Sequence, residues 1–190
     1  MRTLALVVAL ALLPGCFGPR TDTSRYFTLP VDGTPSAAAA IPALGLGPLT
    51  LPPYLSRPEV ATRVGPEQVA YATGDRWAAP LDELVARALS EQLRARIPAR
   101  EVVRWPWPLG SPPEVSASVE LIRFEAEASG GATVIARWRV TPRGGRPIDG
   151  ETRLRERGPA GDVPASVAAL GKGLSALAAD LAAAARAPAN

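Results

Sequence analysis

The segment that most constrains the fold runs from residue 114 to residue 157, where apolar and polar residues alternate in three successive runs. Two short turns, "SGG" and "RGGR", separate these runs. Alternation with period two is typical of strands with one buried and one solvated face. The segment therefore predicts an antiparallel meander with an arginine-bearing outer face. The alternation slips near residues 122–123, which indicates a bulge.

Two other segments have the period of an amphipathic helix. The first runs from Pro80 to Ile97, with early acids and late arginines that suit the helix dipole. The second covers about residues 163 to 186, and Asp162 is placed to cap it. Together with the meander, these helices predict an α+β fold in which two helices pack on one face of a largely antiparallel twisted sheet.

The remaining strands are shorter. Residues 25–30 and 101–105 each predict a strand, and "EVATRV" and "QVAYAT" flank "GPE" as in a hairpin. Residues 41–51 predict a strand weakened by glycine and proline, which places it near a sheet edge.

A proline-rich stretch, "LTLPPYLSRPEVATRV", joins the strand at 41–51 to this hairpin. Each proline fixes its own φ and biases the preceding residue toward extended geometry. Pro52, Pro53 and Pro58 therefore predict a stiff crossover that holds Tyr54 in place. The pattern leaves open whether Tyr54 faces the core or a partner.

The N-terminus predicts an export signal. One early charge, Arg2, precedes an apolar run that ends at Leu13, which is too short to span a bilayer. "LPGC" follows and resembles a bacterial lipobox, with Cys16 as the lipidated residue. The alternatives are an ordinary secretion signal with an incidental cysteine, or a buried structural thiol. We expect a signal peptide at 1–15, a tether at 16–24 and a single domain at 25–187.

Composition argues against several kinds of chemistry. The chain has no histidine, the commonest general base, and one cysteine, so neither an internal disulfide nor a cysteine zinc site can form. The acidic pair Asp82 and Glu83 lies at an exposed helix start and needs no catalytic explanation. The net charge of +3 is spread among interleaved acids. We therefore expect no catalytic site, cofactor, metal or nucleic-acid partner.

A few aromatic and basic residues stand out. Trp105 and Trp107, in "WPWP", fit partner contact and fit simple loop packing equally well. Trp77 and Trp138 are expected in the core. Two arginines, Arg57 and Arg63, could bind phosphate headgroups or form ion pairs. The candidate acids for those ion pairs are Glu59, Glu67 and Asp75.

Three phrases taken together resemble a known family: "GLGPLTLPPYLSRPEVATRV", "DRWAAPLDELVARALSEQL" and the lipobox. They are similar to the PqiC-like (YmbA-like) auxiliary lipoproteins of ABC-type intermembrane transport systems. The resemblance is specific over residues 41–97, and Pro53 departs from the pattern. The matching positions are Leu51, Pro52, Tyr54, Leu55, Arg57, Pro58, Thr62, Arg63, Arg76, Trp77, Pro80 and Leu81.

The resemblance implies a non-enzymatic lipoprotein that is anchored to the outer membrane through Cys16, with its domain facing the periplasm. Phe17 follows the cysteine where inner-membrane retention signals usually place aspartate, which favours the outer membrane. The implied partner is the MCE-domain protein of a lipid transport system, with Tyr54, Trp105 and Trp107 as possible contacts. A homo-oligomer is also possible. The alternative is a ligand-binding or envelope-assembly lipoprotein without a role in lipid transport.

Overall fold

A computed structural model describes residues 22–31, 41–108 and 110–187. The predicted signal peptide at 1–15, Cys16 and most of the predicted tether lie outside these residues. The described elements are eight strands, one 3-10 helix and two α-helices. In chain order they are β1 (Arg25–Phe27), β2 (Ile41–Thr50), a 3-10 helix (Pro53–Ser56), β3 (Glu59–Gly65), β4 (Gln68–Trp77), α1 (Leu81–Arg96), β5 (Ala99–Arg104), β6 (Val115–Glu127), β7 (Ala132–Pro142), β8 (Ile148–Glu156) and α2 (Val163–Ala185).

Strands β6, β7 and β8 form the predicted antiparallel meander. The ladder between β6 and β7 shifts register between Leu121 and Arg123, which confirms the irregularity expected near residues 122–123. On the far side of this shift, Arg123 lies opposite Ile135 and Glu125 lies opposite Thr133. The meander thus sends a row of charged residues to the face opposite the core.

The described strands form one sheet that forks at β6. Strands β7 and β8 lie on one edge of β6. On its other edge, the first half of β6 pairs with β2, which carries β5. The last residues of β6 pair with β3, which carries β4 and then β1. The long central strand therefore joins the meander to both remaining branches of the sheet.

The sheet is mixed, so the expectation of a largely antiparallel sheet is only partly met. Among the described strands, β3/β4, β6/β7 and β7/β8 are antiparallel. The pairings β1/β4, β2/β5, β2/β6 and β3/β6 are parallel. Hairpins leave a turn signature between adjacent strands, whereas parallel partners are joined by long connections. The sequence therefore shows the first kind of pairing more clearly than the second.

Strand β2 lies near an edge of the sheet, as its glycines and prolines predict, but it is one strand in from the edge strand β5. It lies between β5 and β6 and pairs with both. Its ladder with β6 shifts register between Leu46 and Leu49, across Gly47 and Pro48. A local break in the ladder accommodates the proline here, so no exposed edge is needed.

Both helices pack on the apolar face of the sheet and on each other. Helix α1 lies over β2 and β5, and helix α2 lies over the meander. A fully buried leucine contributes about 1.5–3 kcal/mol relative to an exposed one, so the leucine rows of the helices are a major source of stability. The fully buried leucines of the two helices are Leu89, Leu93, Leu170, Leu174, Leu177 and Leu181.

Helix α2 begins and packs as its sequence predicts. The Asp162 carboxylate accepts a hydrogen bond from the Ala165 N–H at 2.9 Å, which is the expected N-cap. At Gly173, a Cβ would collide with the side chain of Val134, so β7 lies against the helix there. Among the described helices, α2 alone is long and apolar enough to span a membrane, yet 61% of its most apolar window is buried inside the fold. That burial is typical of a core helix.

Candidate functional site

The proline-rich stretch forms a tight corner between β2 and β3, here called the proline corner (residues 52–58). Its 3-10 helix is closed by the Leu55 N–H, which donates to the Pro52 carbonyl at 2.9 Å. Leu55 is buried in the core. At the other end of the corner, the Trp77 N–H donates to the Pro58 carbonyl at 2.7 Å. The corner is therefore fixed both to the core and to β4.

A buried carboxylate, Glu125 on β6, ties the proline corner to the sheet. The Tyr54 hydroxyl donates to one of its oxygens. The Arg63 guanidinium on β3 binds both oxygens, each at 2.8 Å, and Arg123 reaches it at 3.2 Å. Glu125 is 0% exposed. We call these four residues, Tyr54, Arg63, Arg123 and Glu125, the Glu125 cluster.

The cluster holds Glu125 ionised and Tyr54 protonated. Burial acts to raise the pKa of Glu125, but hydrogen bonds from Arg63 and Tyr54 and the charge of Arg123 outweigh it and lower that pKa. Burial, and then the hydrogen bond to Glu125, raises the pKa of Tyr54 well above its ordinary value. Neither group is poised to exchange a proton near neutral pH. The arrangement suits a structural clamp.

The sequence indicated two members of this cluster and missed its centre. Tyr54 and Arg63 stand out in the proline-rich stretch, whereas Glu125 is one of several acids in the meander. The available signal is the slip in alternation near residues 122–123. That slip places Phe124 on the core face and Glu125 on the opposite face, next to Arg123.

The ion-pair interpretation of Arg57 and Arg63 is confirmed, with one change of partner. Arg57 binds Glu59 at 3.3 Å, and its guanidinium lies 4.3 Å from the centre of the Tyr71 ring. Arg63 binds Glu125, which was not among the expected acids. The difference arises because β3 lies beside the end of β6, a parallel pairing that the sequence does not reveal.

The four tryptophans divide between core and surface. Trp77 is 5% exposed, and its ring centre lies 6.4 Å from that of Phe124, which confirms it as a core anchor. Trp138 packs at the margin of the core, and its indole N–H donates to Thr152 at 3.1 Å. Trp105 is 53% exposed, whereas Trp107 is half-buried.

The segment that carries these last two residues, here called the tryptophan loop (residues 105–108), leaves the end of edge strand β5. The Trp105 and Trp107 rings meet edge to face, with centres 4.7 Å apart. The Trp107 ring lies so close to Gly45 on β2 that a Cβ there would come within 2.9 Å of it. Trp107 is thus packed against the sheet, and Trp105 is left facing solvent.

A groove of about 460 Å³ lies beside Trp105. Leu46, Leu49 and Pro48 form its apolar part, and Asp82 and Glu83 from the start of α1 form an acidic rim that the charge of Arg104, also in the lining, only partly offsets. The combination of an exposed indole, an apolar groove and two carboxylates suits an apolar segment flanked by positive charge.

Three other predictions concern lipidation, metal binding and partner contacts. Cys16, the predicted lipidation site, lies outside the described residues. Within the described ranges, no group of three or more histidine, cysteine, aspartate or glutamate side chains is arranged to hold a metal ion. The structure does not bring together the three possible partner contacts, Tyr54, Trp105 and Trp107. Tyr54 lies at the Glu125 cluster, and the tryptophans lie at the end of β5.

Comparison with known proteins gives a consistent family. Residues 27–182 match the model of the ABC-type transport auxiliary lipoprotein component family. The chain is 26% identical over 147 residues to the intermembrane transport lipoprotein PqiC of Escherichia coli (strain K12), covering 76% of each chain. The same figures hold for PqiC of Shigella flexneri.

Two solved structures share the fold. An uncharacterized protein superposes with a TM-score of 0.69 at 22% identity, covering 85% of this chain and 97% of that one. A protein from Xanthomonas campestris superposes with a TM-score of 0.68 at 17% identity, covering 84% and 93%.

Proposed function

The chain belongs to the family of ABC-type transport auxiliary lipoprotein components, and from that premise we propose that it docks the periplasmic MCE component of a lipid transport system at the outer membrane. Its similarity to the intermembrane transport lipoprotein PqiC supports a role as a lipoprotein component of such transport. We add three steps: the location at the outer membrane, the MCE partner, and a role in binding rather than catalysis.

The anchor in this proposal is Cys16. Burying a CH₂ group in lipid contributes about 0.8 kcal/mol, so a cysteine with several acyl chains holds a protein at a membrane without a spanning helix. Phe17 after the cysteine supports sorting to the outer membrane. Cys16→Ser should abolish palmitate labelling and release the domain into the soluble periplasm. A Cys16→Ser protein that still sediments with outer membranes would contradict the anchor.

The docking surface in this proposal is the tryptophan loop with the groove beside it. The observation that carries it is Trp105, which is 53% exposed although Trp107 next to it packs on the sheet. Exposed tryptophans that abut apolar grooves are common anchors of protein interfaces. The acidic rim of Asp82 and Glu83 would favour a positively charged neighbour on the partner segment.

Site-specific crosslinking in cells tests this surface. A photo-reactive amino acid at position 105 should give an adduct with the MCE-domain protein. The same residue at position 67, in the exposed β3–β4 turn at the other end of β6, should give none. Adducts only with other envelope proteins would favour the envelope-assembly alternative and sink the docking proposal.

Self-association stays a separate prediction. Strands β1, β5 and β8 each pair on one side only among the described strands, so each leaves an edge that a second copy could use. Sedimentation of the detergent-solubilised protein, corrected for bound detergent, should reveal a species whose protein mass exceeds that of one processed chain. A single monomeric species across a wide concentration range would contradict it.

A further inference from the structure

A second concavity, of about 690 Å³, opens on the sheet face opposite the helices. Its walls are the end of β3 with the start of the following turn (64–66), the β6–β7 turn at 128–129 and strand β8 at 153–155. It lies at the far end of β6 from the tryptophan loop. We call it the arginine cavity, because four arginines and only one carboxylate, Glu127, line it. The arginines are Arg63, Arg123, Arg153 and Arg155.

Strand register explains why the arginines converge. Ile135 on β7 lies opposite Arg123 on one side and Arg153 on the other. Thr133, two residues earlier on the same face, lies opposite Arg155. Strands β6 and β8, on either side of β7, therefore direct these arginines to one end of the open face.

The carboxylates near the cavity do not balance these arginines. Arg63 and Arg123 share Glu125, and Arg123 also binds Glu127 at 3.0 Å. Two further arginines, Arg137 and Arg153, share Glu151. Within the described part of the chain, Arg155 forms no ion pair. Five arginines thus face three glutamates, and the surplus positive charge lies at β8.

One hydrogen-bond donor among these arginines is also left without a partner within the described ranges. The Nε of Arg123 is buried and has no acceptor among the described residues. Buried donors without an acceptor are rare because they lose their hydration without replacement. Arg155 is exposed at the mouth and has no ion pair among the described residues, so its guanidinium can receive an incoming oxygen, whereas the exposed Arg153 is already paired with Glu151.

The wall opposite Arg155 is held in place by the backbone. Gly131 in the β6–β7 turn has φ +82°, and a Cβ on it would collide with the carbonyl oxygen of Glu156. Only glycine fits this conformation at this distance. The turn is therefore pressed against the end of β8, and the cavity does not need to form on binding.

We propose that the arginine cavity binds a phosphate ester. Guanidinium groups bind phosphate oxygens in pairs, with geometry that suits arginine better than lysine. Its volume lies within the range of small-molecule sites. Ile135, Leu154 and the exposed Val64 add apolar surface beside the charge. The same chemistry would accept a phospholipid headgroup or a free phosphate compound, and it does not depend on the docking function.

Calorimetric titration of the lipid-anchored protein in neutral detergent tests the proposal. The probes are inorganic phosphate and dihexanoyl-phosphatidylglycerol, each corrected by titration into detergent alone. Both should bind the unaltered protein. Arg155→Gln should weaken binding about tenfold, as expected for the loss of one charge-assisted hydrogen bond. Arg155→Lys should bind with an affinity between those of the unaltered protein and Arg155→Gln, since lysine keeps the charge but lacks the paired N–H donors of the guanidinium.

The matched control is Arg139→Gln. Arg139 lies on the same face and is ion-paired with Asp149 at 2.6 Å, outside the cavity. Its loss removes the same charge and should weaken binding less than about twofold, because exposed charges beyond a Debye length are screened. Tighter binding of the lipid than of phosphate identifies a headgroup site, and equal binding identifies a phosphate site. Absence of binding to both probes, or equal effects of the Arg155 and Arg139 changes, overturns the proposal.

Discussion

The proline corner and the tryptophan loop are both proline-rich crossovers at the ends of parallel-paired strands, and they differ in what their aromatic residues meet. In the corner, Tyr54 reaches a carboxylate that is 0% exposed and is held by two arginines. In the loop, Trp107 packs on Gly45 and leaves Trp105 53% exposed. Proline-rich backbone therefore has two roles here: the proline corner stabilises the fold, and the tryptophan loop exposes a side chain to solvent.

This difference separates two roles that the sequence treats alike. Both segments combine prolines with large aromatic residues, and both were possible partner contacts. Changes in the corner should lower the free energy of unfolding with little effect on docking. Changes at the exposed tip of the loop should do the reverse. The predictions below test that division, beginning with the largest expected effect.

Glu125→Gln should cause the largest loss of stability. It removes the charge that Arg63 and Arg123 share, and breaking a buried ion pair costs about 3–5 kcal/mol. Both arginines keep some access to solvent, so we expect about 3 kcal/mol. Urea unfolding of the detergent-solubilised protein, followed by tryptophan fluorescence, measures it. Glu120→Gln, an exposed residue on the same strand, is the control and should change stability by less than about 0.5 kcal/mol.

Trp105→Ala should have the next largest effect, on binding instead of folding. Loss of a central interface tryptophan typically costs about 2 kcal/mol or more, so the affinity for the MCE-domain protein should fall about thirtyfold. The free energy of unfolding should change by only about 1 kcal/mol, because the ring is half exposed and loses the edge-to-face contact with Trp107. Tyr26→Ala removes another exposed aromatic residue, on β1, and should leave the affinity unchanged. A Trp105→Ala protein that binds normally but unfolds easily would reverse the comparison.

The two segments also differ in how far the sequence reveals them. The stiffness of the corner follows from Pro52, Pro53 and Pro58, and the helix and meander periods place most elements within a few residues. The partner of Tyr54 does not follow, because Glu125 is 71 residues away and reaches the corner only through the fork of the sheet. Local patterns predict elements and turns, whereas the cluster depends on the non-local parallel pairing of β3 with β6.

The same limit applies to the loop. The sequence could not distinguish Trp105 from Trp107, because each stands directly before a proline in one short phrase. What separates them is a glycine on β2 that leaves room for one indole ring. Gly45 lies on β2, and its packing role becomes visible only when β2 lies beside β5, the strand that carries the tryptophan loop.

Tyr54→Phe should have a smaller effect than either change above. It removes one hydrogen bond to a carboxylate that keeps both arginines, and such a loss costs about 1–1.5 kcal/mol. Affinity for the MCE-domain protein should not change. The control is Tyr26→Phe, whose hydroxyl bonds Asp22 in an exposed setting at 2.9 Å and should be nearly neutral. A loss of affinity in Tyr54→Phe without a loss of stability would return Tyr54 to the docking surface.

The smallest expected effect is the alkaline titration of Tyr54, and it separates the hydrogen bond from simple packing. The pKa of Tyr54 is raised by folding, so its contribution is complete below the ordinary tyrosine value of 10.0 and is lost as pH rises beyond it. Tyr54→Phe has no hydroxyl at position 54, so its stability does not change through this titration. The stability difference between the two proteins should therefore narrow by about 0.4 kcal/mol from pH 7 to pH 10, where a free tyrosine is half ionised.

Parallel urea titrations at the two pH values measure this narrowing, and the arginines of the cluster stay charged throughout. If the stability difference between the unaltered protein and Tyr54→Phe stays constant between pH 7 and pH 10, the hydrogen bond to Glu125 does not keep the Tyr54 hydroxyl protonated. The corner would then be held by its prolines and by Leu55 alone, and the distinction from the tryptophan loop would rest on packing rather than on a buried charge.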